Sequence, residues 1–398
     1  MSTEPAFPLI EVSGPARERG RSYGSQAADR IARASELYHG SLARLDLAPG
    51  VVRTMADDFL TAIERFDVDQ ADEIRGIAEG SGVPLEEVVV INARRELITM
   101  AERGGETNGR RDDVAGDECT AAAILPEVSA TGQVFHGQNW DTSPAHSEHA
   151  LVLRIRRNDG PDILCFTEAG QLARSGFNAA GVAITGNHLQ SDRDYVDVGV
   201  PLPMIRRAAL STEHYALAIS VVYATRKSGS NNMMLSHAGG EIINVECAPD
   251  ESFLLYERDG VLTHANHWES VAALCKLRDT GATNDSGLAA TPCSTYRGNR
   301  MERLLRRQLP AITFEGFRDV FLDEFATPFS ICRPPRRAAV GTGMSATAAT
   351  VVFNAAEGYL DVARLPAVDP TFTRYHLSGG DPEILTSSAR AVPVAAQA

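Results

Sequence analysis

Cysteine is scarce in this chain. Its 398 residues include six cysteines, at positions 119, 165, 247, 275, 293 and 332. So few cysteines in so long a chain do not make the disulfide scaffold of a small secreted protein. None belongs to a CxxC pair, which argues against a zinc ribbon or a thioredoxin-like redox site. The cysteine content therefore favours a protein with reduced thiols.

Long apolar runs are missing as well. No segment approaches the roughly 18 uninterrupted apolar residues of a membrane span, and residues 1–8 lack the basic region and apolar stretch of a signal peptide. We therefore expect a cytoplasmic protein that has no membrane partner.

Positive charge is in deficit, because 38 Lys and Arg residues face 52 Asp and Glu residues, for a formal net charge of -14. A chain with this balance repels phosphate backbones, so we expect no nucleic-acid partner. Apolar residues make up 43% of the chain, which is ample for a hydrophobic core. The length fits one large unit with elaborations or two to three average domains.

Several motifs of common catalytic sites are absent. There is no GxSxG nucleophile elbow, and the stretch 341–345 lacks the Lys-Ser/Thr that completes a P-loop. The HxxH pairs 146/149 and 264/267 lack the helical HExxH pattern and a set of carboxylates. We expect no metal and no cofactor. The arginine-rich stretches 297–307 and 333–337 are interpreted as a solvated helix face and a loop.

The predicted secondary structure changes from helices to strands at residue 119. The first hundred residues repeat apolar side chains at helical spacing, including a predicted helix from Leu85 to about Ala101 that follows Pro84. Short β-type runs and tight turns follow residue 119, interrupted by two predicted helix pairs near 202–225 and 297–325. This order predicts helices layered against antiparallel sheets. The stretch 102–118, rich in glycine and polar residues, is the one internal linker predicted.

Cys119 opens a run of small apolar residues, Cys119-Thr120-Ala121-Ala122-Ala123, which predicts a buried strand that directly follows the linker. If the bond between Glu118 and Cys119 is cut, Cys119 gains a free α-amine beside its own thiol. Such an amine has a pKa of about 7.7–8.0 and can take the thiol proton near neutral pH. A cysteine in an apolar run is more often an inert buried side chain, so the neighbouring motifs decide between the two readings.

Those motifs occur in an order that resembles the acyl-coenzyme A:6-aminopenicillanic acid acyltransferase family, peptidase group C45 of the amino-terminal-nucleophile (Ntn) hydrolases. The matching stretches span nearly the whole chain: Gly14-Pro15 with Gly20 and Gly24, 73–80, Cys119-Thr120, 137–141, 176–182, 264–267 and 330–333. The resemblance implies an α+β fold, a four-layer αββα sandwich with a helical amino-terminal segment. It also implies self-cleavage into an α chain, 1–118, and a β chain, 119–398, that stay bound to each other.

The resemblance assigns three catalytic roles. Cys119 is the nucleophile, Asp141 orients or accepts a hydrogen bond from the new α-amine, and Asn266 donates its side-chain amide to the tetrahedral oxyanion. An oxyanion donor of this kind lowers the barrier by about 2.7–4 kcal/mol. Taken alone, Asp141 and Asn266 could equally satisfy local turns.

Three further residues are candidates for substrate binding. Arg333 resembles a position near the acyl or substrate pocket of the family, and Asn139 and Trp140 belong to the same Gly-Gln-Asn-Trp-Asp motif as Asp141. The chain departs from the family pattern in having Glu118 where glycine is common before the nucleophile. It also has Pro334-Pro335 where histidine is common.

Two functions from the same chemistry remain open, together with one from another class. The leading hypothesis is a self-processing amidase that cleaves a small-molecule amide through a thioester on Cys119. The alternative is an acyltransferase that passes the acyl group from acyl-CoA or an amide to an amine. The charged residue Glu118 also leaves open the hypothesis that the chain is no longer cleaved and serves as a binding protein. The expected partners are a small-molecule amide, the two fragments of the chain and a possible second copy.

Overall fold

The computed structural model describes residues 4–43, 45, 47, 49–104, 118–281, 292–337 and 344–385. Most of the predicted linker, residues 105–117, lies outside the described residues, as do residues 341–343 of the glycine-containing stretch. Within those described ranges, no helix combines the length and the apolar character needed to cross a membrane.

The described helices fall into an amino-terminal group of six and a later group of six. They are α1 (Ala16–Gln26), α2 (Ala28–Ala43), α3 (Pro49–Phe66), α4 (Val68–Ser81), α5 (Leu85–Asn92), α6 (Arg94–Gly104), α7 (His146–His149), α8 (Leu202–Leu210), α9 (Tyr215–Ala224), α10 (Val271–Leu274), α11 (Pro292–Arg306) and α12 (Phe314–Val320).

The described strands form two sheets. They are β1 (Leu9–Ser13), β2 (Glu118–Ile124), β3 (Phe135–Thr142), β4 (Ala150–Arg156), β5 (Ile163–Glu168), β6 (Ser175–Asn178), β7 (Val182–His188), β8 (Asn231–His237), β9 (Glu241–Cys247), β10 (Ser252–Leu255), β11 (Val261–His264), β12 (Arg336–Arg337), β13 (Met344–Asn354), β14 (Tyr359–Arg364), β15 (Phe372–His376) and β16 (Glu383–Ile384).

The first sheet has the order β1-β4-β5-β6-β7-β8-β9-β10, and the second has the order β11-β2-β3-β13-β14-β15-β16, with β12 paired to β13. Among the described strands the pairing of β1 with β4 is parallel, and every other pair is antiparallel. The strand that carries Cys119, β2, lies between β11 and β3, away from the sheet edge. This central position fits its buried, small-residue sequence.

The two sheets pack face to face, and helices cover both outer faces. One apolar cluster joins α1 to α6, α8 and α9 to the first sheet, and another joins α11 and α12 to the second sheet. Between the sheets lies a third cluster, in which Cys119 and Trp140 of the second sheet meet Val152 and Phe166 of the first. The predicted four-layer αββα arrangement is therefore confirmed.

Glycines explain the close crossing of α1 and α4. A Cβ atom at Gly20 would lie 2.1 Å from the carbonyl oxygen of Glu73, and one at Gly76 would lie 2.2 Å from that of Arg17. Gly24 and Gly80 meet the opposite helix in the same way. The glycines of the 20–24 and 73–80 motifs thus let two helix backbones touch.

The amino-terminal part differs from the prediction in two places. The helix predicted from Leu85 to about Ala101 is two helices that meet at Ala93, next to Asn92, whose side chain bonds Val88 O at 2.9 Å, Gly170 O at 2.7 Å and Leu172 N at 3.3 Å. This part also adds a strand, β1, to the first sheet. Its stability comes from pairing with β4, more than 130 residues later, so its own five residues carry little signal.

Candidate active site

Antiparallel pairing of β2 with β3 sets the faces of the site. Cys119 lies opposite Trp140, and Glu118 lies opposite Asp141. Because successive side chains of a strand point to opposite faces, Cys119 and Trp140 face the first sheet, while Glu118 and Asp141 face the side of α11. The thiol and the Asp141 carboxylate therefore lie on opposite faces of the second sheet.

The backbone nitrogen of Cys119 is held by Asn266. The Cys119 N–H donates to Asn266 Oδ1 at 2.7 Å, and Asn266 Nδ2 donates to His188 O at 2.9 Å. The backbone N–H of Asn266 donates in turn to Ser294 Oγ at 2.7 Å. These contacts make Asn266 an acceptor for the nitrogen that cleavage would turn into an amine. The role predicted for Asn266, as an oxyanion donor, stays a prediction and would need Nδ2 to leave His188 O.

The loop that carries Asn266 is anchored by a buried ion pair. His264 Nε2 lies 2.8 Å from Glu246 Oε1, and His264 Nδ1 lies 2.9 Å from Ala265 O. Burial works against the imidazolium, but the hydrogen bond with Glu246 and the negative charges of Glu269 and Glu246 together outweigh it and raise the pKa of His264. Glu246 also accepts from the backbone of Glu269 and Ser270. In the described part of the chain, no three His, Cys, Asp or Glu side chains form a candidate metal site.

Arg297, on α11, joins the residues around the scissile bond. Its Nη1 donates to Cys119 O at 2.7 Å and to Thr120 Oγ1 at 2.6 Å, and its Nη2 donates to Asn266 Oδ1 at 2.9 Å and contacts Glu118 Oε2 at 3.3 Å. Its side chain is 0% exposed. The interpretation of 297–307 as a solvated helix face is therefore wrong at its first residue, since Arg297 faces the second sheet.

Arg333 is buried on the same face of the sheet. It pairs with Glu118, and its Nε lies 3.4 Å from Asp141 Oδ2. Arg333 lies in an irregular segment, as predicted for 333–337, and its role in substrate binding stays a prediction. Cys293 completes the contacts, because its Sγ lies 3.4 Å from Glu118 Oε2 and 3.1 Å from Arg333 Nη2.

The charge of Glu118 is set by this pair of arginines. Burial disfavours the carboxylate, but Arg333 and then Arg297 overcome the burial and lower the pKa of Glu118 to about 2. Glu118 is thus ionised at neutral pH, immediately before the candidate nucleophile.

Asp141 is buried against Thr347 and Arg333. Its Oδ1 accepts from Thr347 Oγ1 at 2.7 Å, while Oδ2 accepts no hydrogen bond from any described residue. Burial raises the pKa of Asp141 and outweighs the opposing charges of Arg333 and Arg297. A β-bulge in β13 between Thr347 and Ala349 shapes this corner of the sheet. The proposed contact between Asp141 and the new amine stays a prediction.

Asn139 and Trp140 lie on opposite faces of β3. Asn139 donates to Phe321 O at 2.8 Å and to Ile331 O at 2.9 Å, and accepts from Thr350 Oγ1 at 2.6 Å. It therefore holds the segment that leads to Arg333. Trp140 lies between the sheets. The guanidinium carbon of Arg174 is 4.3 Å from the centroid of its ring.

A cavity that is partly open to solvent is lined in part by Cys119, which is itself buried. Of the residues predicted for the site, Cys119 is the one that lines it, although Trp140 lies directly behind. The other lining residues come from α5, α6, α8, β7 and the loop after β5: Asn92, Arg94, Arg95, Glu96, Gln171, Arg174, Gly186, Asn187, His188, Leu202, Pro203 and Arg206.

The chain is similar in sequence to known proteins. The family model described as Acyl-coenzyme A:6-aminopenicillanic acid acyl-transferase matches residues 128–363, more than half of the chain. The chain is 26% identical over 363 residues to the acyl-coenzyme A:6-aminopenicillanic-acid-acyltransferase 40 kDa form of Emericella nidulans, covering 87% of this chain and 89% of the relative.

Two solved structures are also similar. A mutant conjugated bile acid hydrolase from Clostridium perfringens aligns with 67% of this chain and 97% of its own, at 13% identity and a TM-score of 0.44. Penicillin V acylase from Agrobacterium tumefaciens aligns with 65% of this chain and 86% of its own, at 13% identity and a TM-score of 0.40.

Proposed function

Since the chain belongs to the acyl-coenzyme A:6-aminopenicillanic acid acyl-transferase family, we propose that it is a self-processing cysteine amidase. In this proposal the thiol of Cys119 first cuts the bond between Glu118 and Cys119. The new amino-terminal cysteine then hydrolyses the amide bond of a small molecule.

Processing needs the thiol and the bond that precedes it. Cys119 Sγ attacks the carbonyl carbon of Glu118, and the C–N bond breaks as the nitrogen takes up the thiol proton. A thioester then joins Glu118 to Sγ, and water hydrolyses it to a carboxylate and a free thiol. Arg297 supports this step, because it bonds the carbonyl of Cys119 and the side chain of Asn266 on either side of the attacking residue.

The amide reaction uses the amine that processing creates. The α-amine takes the thiol proton while Sγ attacks the substrate carbonyl, and it then gives that proton to the leaving nitrogen. Water enters the thioester by the same route and releases the acid. The amine is a base only when neutral, and the positive charge of Arg297 nearby favours the neutral form.

The observation that carries the proposal is the pair of contacts at residue 119. The nitrogen of Cys119 bonds Asn266 at 2.7 Å, while Cys119 lines a cavity that is partly open to solvent. A cysteine with a purely structural role needs no cavity beside it.

Acyl transfer is the second candidate, and the name of the family, which is that of an acyltransferase, favours it. Both reactions share the thioester, and they differ in whether water or an amine attacks it. With hydroxylamine added, an acyltransferase forms the hydroxamate at the expense of the acid, and an amidase forms mainly the acid.

We also propose that the two fragments stay together after the cut. Support comes from buried contacts between the parts before and after residue 118. Glu73 pairs with Arg207 at 2.8 Å and Arg94 with Glu168 at 2.9 Å, and β1 lies in the same sheet as β4.

The six cysteines are all free thiols, which supports a reducing compartment such as the cytoplasm.

An amide screen tests the proposed function. Wild-type protein should release amine from a library of small N-acyl compounds, and Cys119→Ala should release none. Arg303→Ala, which changes an exposed residue of α11, is the control for handling and should behave as wild type. A wild-type chain that cleaves no amide and forms no hydroxamate would leave the binding-protein reading in place.

A further inference from the structure

The cavity beside the thiol is lined by positive charge. Arg94, Arg95, Arg174 and Arg206 line it, against one acidic residue, Glu96. This is opposite in sign to the chain as a whole, whose formal net charge is -14. Buried arginines gathered at a cavity in an acidic protein indicate that the cavity takes an anion.

Three of these arginines contact other parts of the protein. Arg94 pairs with Glu168 at 2.9 Å, and Arg95 Nη1 lies 3.3 Å from His188 Nε2. Arg206 packs so closely on β7 that a Cβ atom at Gly186 would lie 2.6 Å from its guanidinium.

Arg174 is different. It is 7% exposed, and among the described residues no carboxylate pairs with it. Its Nε atom is buried without a hydrogen bond, and its guanidinium stacks over the ring of Trp140 at 4.3 Å. A buried guanidinium that lacks an acid loses more free energy by leaving water than one aromatic ring returns. The fold therefore holds a buried positive charge that a ligand of opposite sign would neutralise.

Glu96 does not supply that opposite charge. Its Oε1 accepts from Leu202 N at 3.3 Å, and burial raises its pKa. Four arginines against this one acid keep the lining positive whether or not Glu96 is ionised.

The position of Arg174 relative to the thiol gives the site its chemistry. Trp140 lies directly opposite Cys119 in the sheet, where facing Cβ atoms are about 4.5–5.5 Å apart. Arg174 is in turn stacked on Trp140. We propose that Arg174 binds a carboxylate of the substrate, so that the cavity selects amides that carry an acidic group a few bonds from the scissile carbonyl. This proposal rests on the proposed amide chemistry at Cys119.

Matched substrates test the selection. Hexanoylglycine and hexanoylglycinamide place an acid or a neutral amide on the amine side, and glutaryl 4-nitroanilide and its terminal carboxamide do so on the acyl side. Wild-type enzyme should prefer the acid by about tenfold or more in kcat/KM in one of the two pairs, since a bond to a charged group is worth that much. Equal rates in both pairs would overturn the proposal.

Variants of Arg174 identify the residue responsible. Arg174→Gln should bring the acid-to-neutral ratio close to one, mainly through KM, and Arg174→Lys should keep part of the preference. Arg53→Gln, which changes an exposed arginine of α3, should leave the ratio at the wild-type value. A preference for the acid that survives in a folded Arg174→Gln protein would show that another group binds the carboxylate, and the proposal would fail.

A binding measurement separates this proposal from the amide chemistry. The chain has two tryptophans, so Cys119→Ala with Trp268→Phe leaves Trp140 as the fluorophore beside Arg174. Titration with hexanoylglycine, glutaryl 4-nitroanilide or both should change the Trp140 emission more than the matched neutral compound does, and adding Arg174→Gln should abolish this difference. If the acid binds but wild-type enzyme cleaves no amide, the proposed function fails and the anion site stands. If neither compound binds, the anion site fails.

Discussion

The nitrogen of Cys119 and the side-chain oxygen of Asn266 are 2.7 Å apart, in a hydrogen bond that joins β2 to the loop after β11. The same oxygen accepts from Arg297 at 2.9 Å. Asn266 thereby fixes the atom that would become the catalytic base, although 146 residues separate it from Cys119. A methyl group at position 266 would therefore remove the acceptor of both donors, whereas a carboxylate would keep the acceptor and lose the donor to His188 O.

Asn266→Ala should slow processing and amide turnover by roughly 100-fold, because the nitrogen of Cys119 loses its acceptor and the reacting groups lose their alignment. A time course of fragment formation on a denaturing gel, with amine release from the processed fraction, measures both. Asn299→Ala, at an exposed residue of α11 whose side chain bonds Thr295 O, is the matched control. Normal rates in Asn266→Ala would remove Asn266 from the mechanism.

Arg297→Lys should also impair the enzyme. A single ammonium cannot reproduce the donors that Arg297 directs at Cys119 O, Thr120 Oγ1 and Asn266 Oδ1. We expect a loss of about 1–3 kcal/mol in the free energy of unfolding, measured by urea denaturation, and slower processing. Arg303→Lys on the exposed face of the same helix should change neither quantity by a measurable amount.

Local sequence predicts some elements well and others hardly at all. The compact apolar runs 150–156 and 163–168, with the turn Asn158-Asp159-Gly160 between them, predict two strands, and β4 and β5 have these bounds. β1 and β15 were not predicted, since both are short strands stabilised by partners elsewhere in their sheets.

The site divides in the same way. Cys119 could be predicted, because the linker, the small-residue strand and the ordered motifs all precede or surround it in sequence. Arg297 and Arg174 could not, because the first occupies an arginine-rich helix and the second a short loop, and only the fold buries them. Arg297 is the first residue of the arginine-rich stretch 297–307, and the composition of that stretch predicts a solvated helix face.

The ion pair of Glu118 with Arg333 predicts a dependence of stability on pH. Because the pKa of Glu118 falls from 4.5 to about 2 on folding, its stabilising effect is complete above pH about 4.5 and disappears as pH falls through 2. In the uncleaved Cys119→Ala background, Glu118→Gln should cost on the order of 3 kcal/mol at pH 5 and little near pH 2. Urea denaturation across this range would measure the difference. Parallel stability curves for the two proteins would contradict the assignment.

The crossing of α1 and α4 predicts a large effect from a small change. Gly76→Ala would place a Cβ atom 2.2 Å from Arg17 O, so the helices must separate. We expect a loss of about 1–3 kcal/mol in the free energy of unfolding. Gly40→Ala, in α2, meets no atom within 4 Å and should instead stabilise the protein by about 0.5–1 kcal/mol. Thermal denaturation of both variants tests the pair, and equal shifts would contradict the close contact.

The most direct test of the account is the mass of the purified wild-type protein, combined with amino-terminal sequencing of its fragments. The account predicts two chains that elute together in gel filtration, the larger beginning with a free Cys119, and one intact chain for Cys119→Ala. An intact wild-type chain that still hydrolyses amides would contradict it, because the thiol would then act without the terminal amine that the mechanism requires.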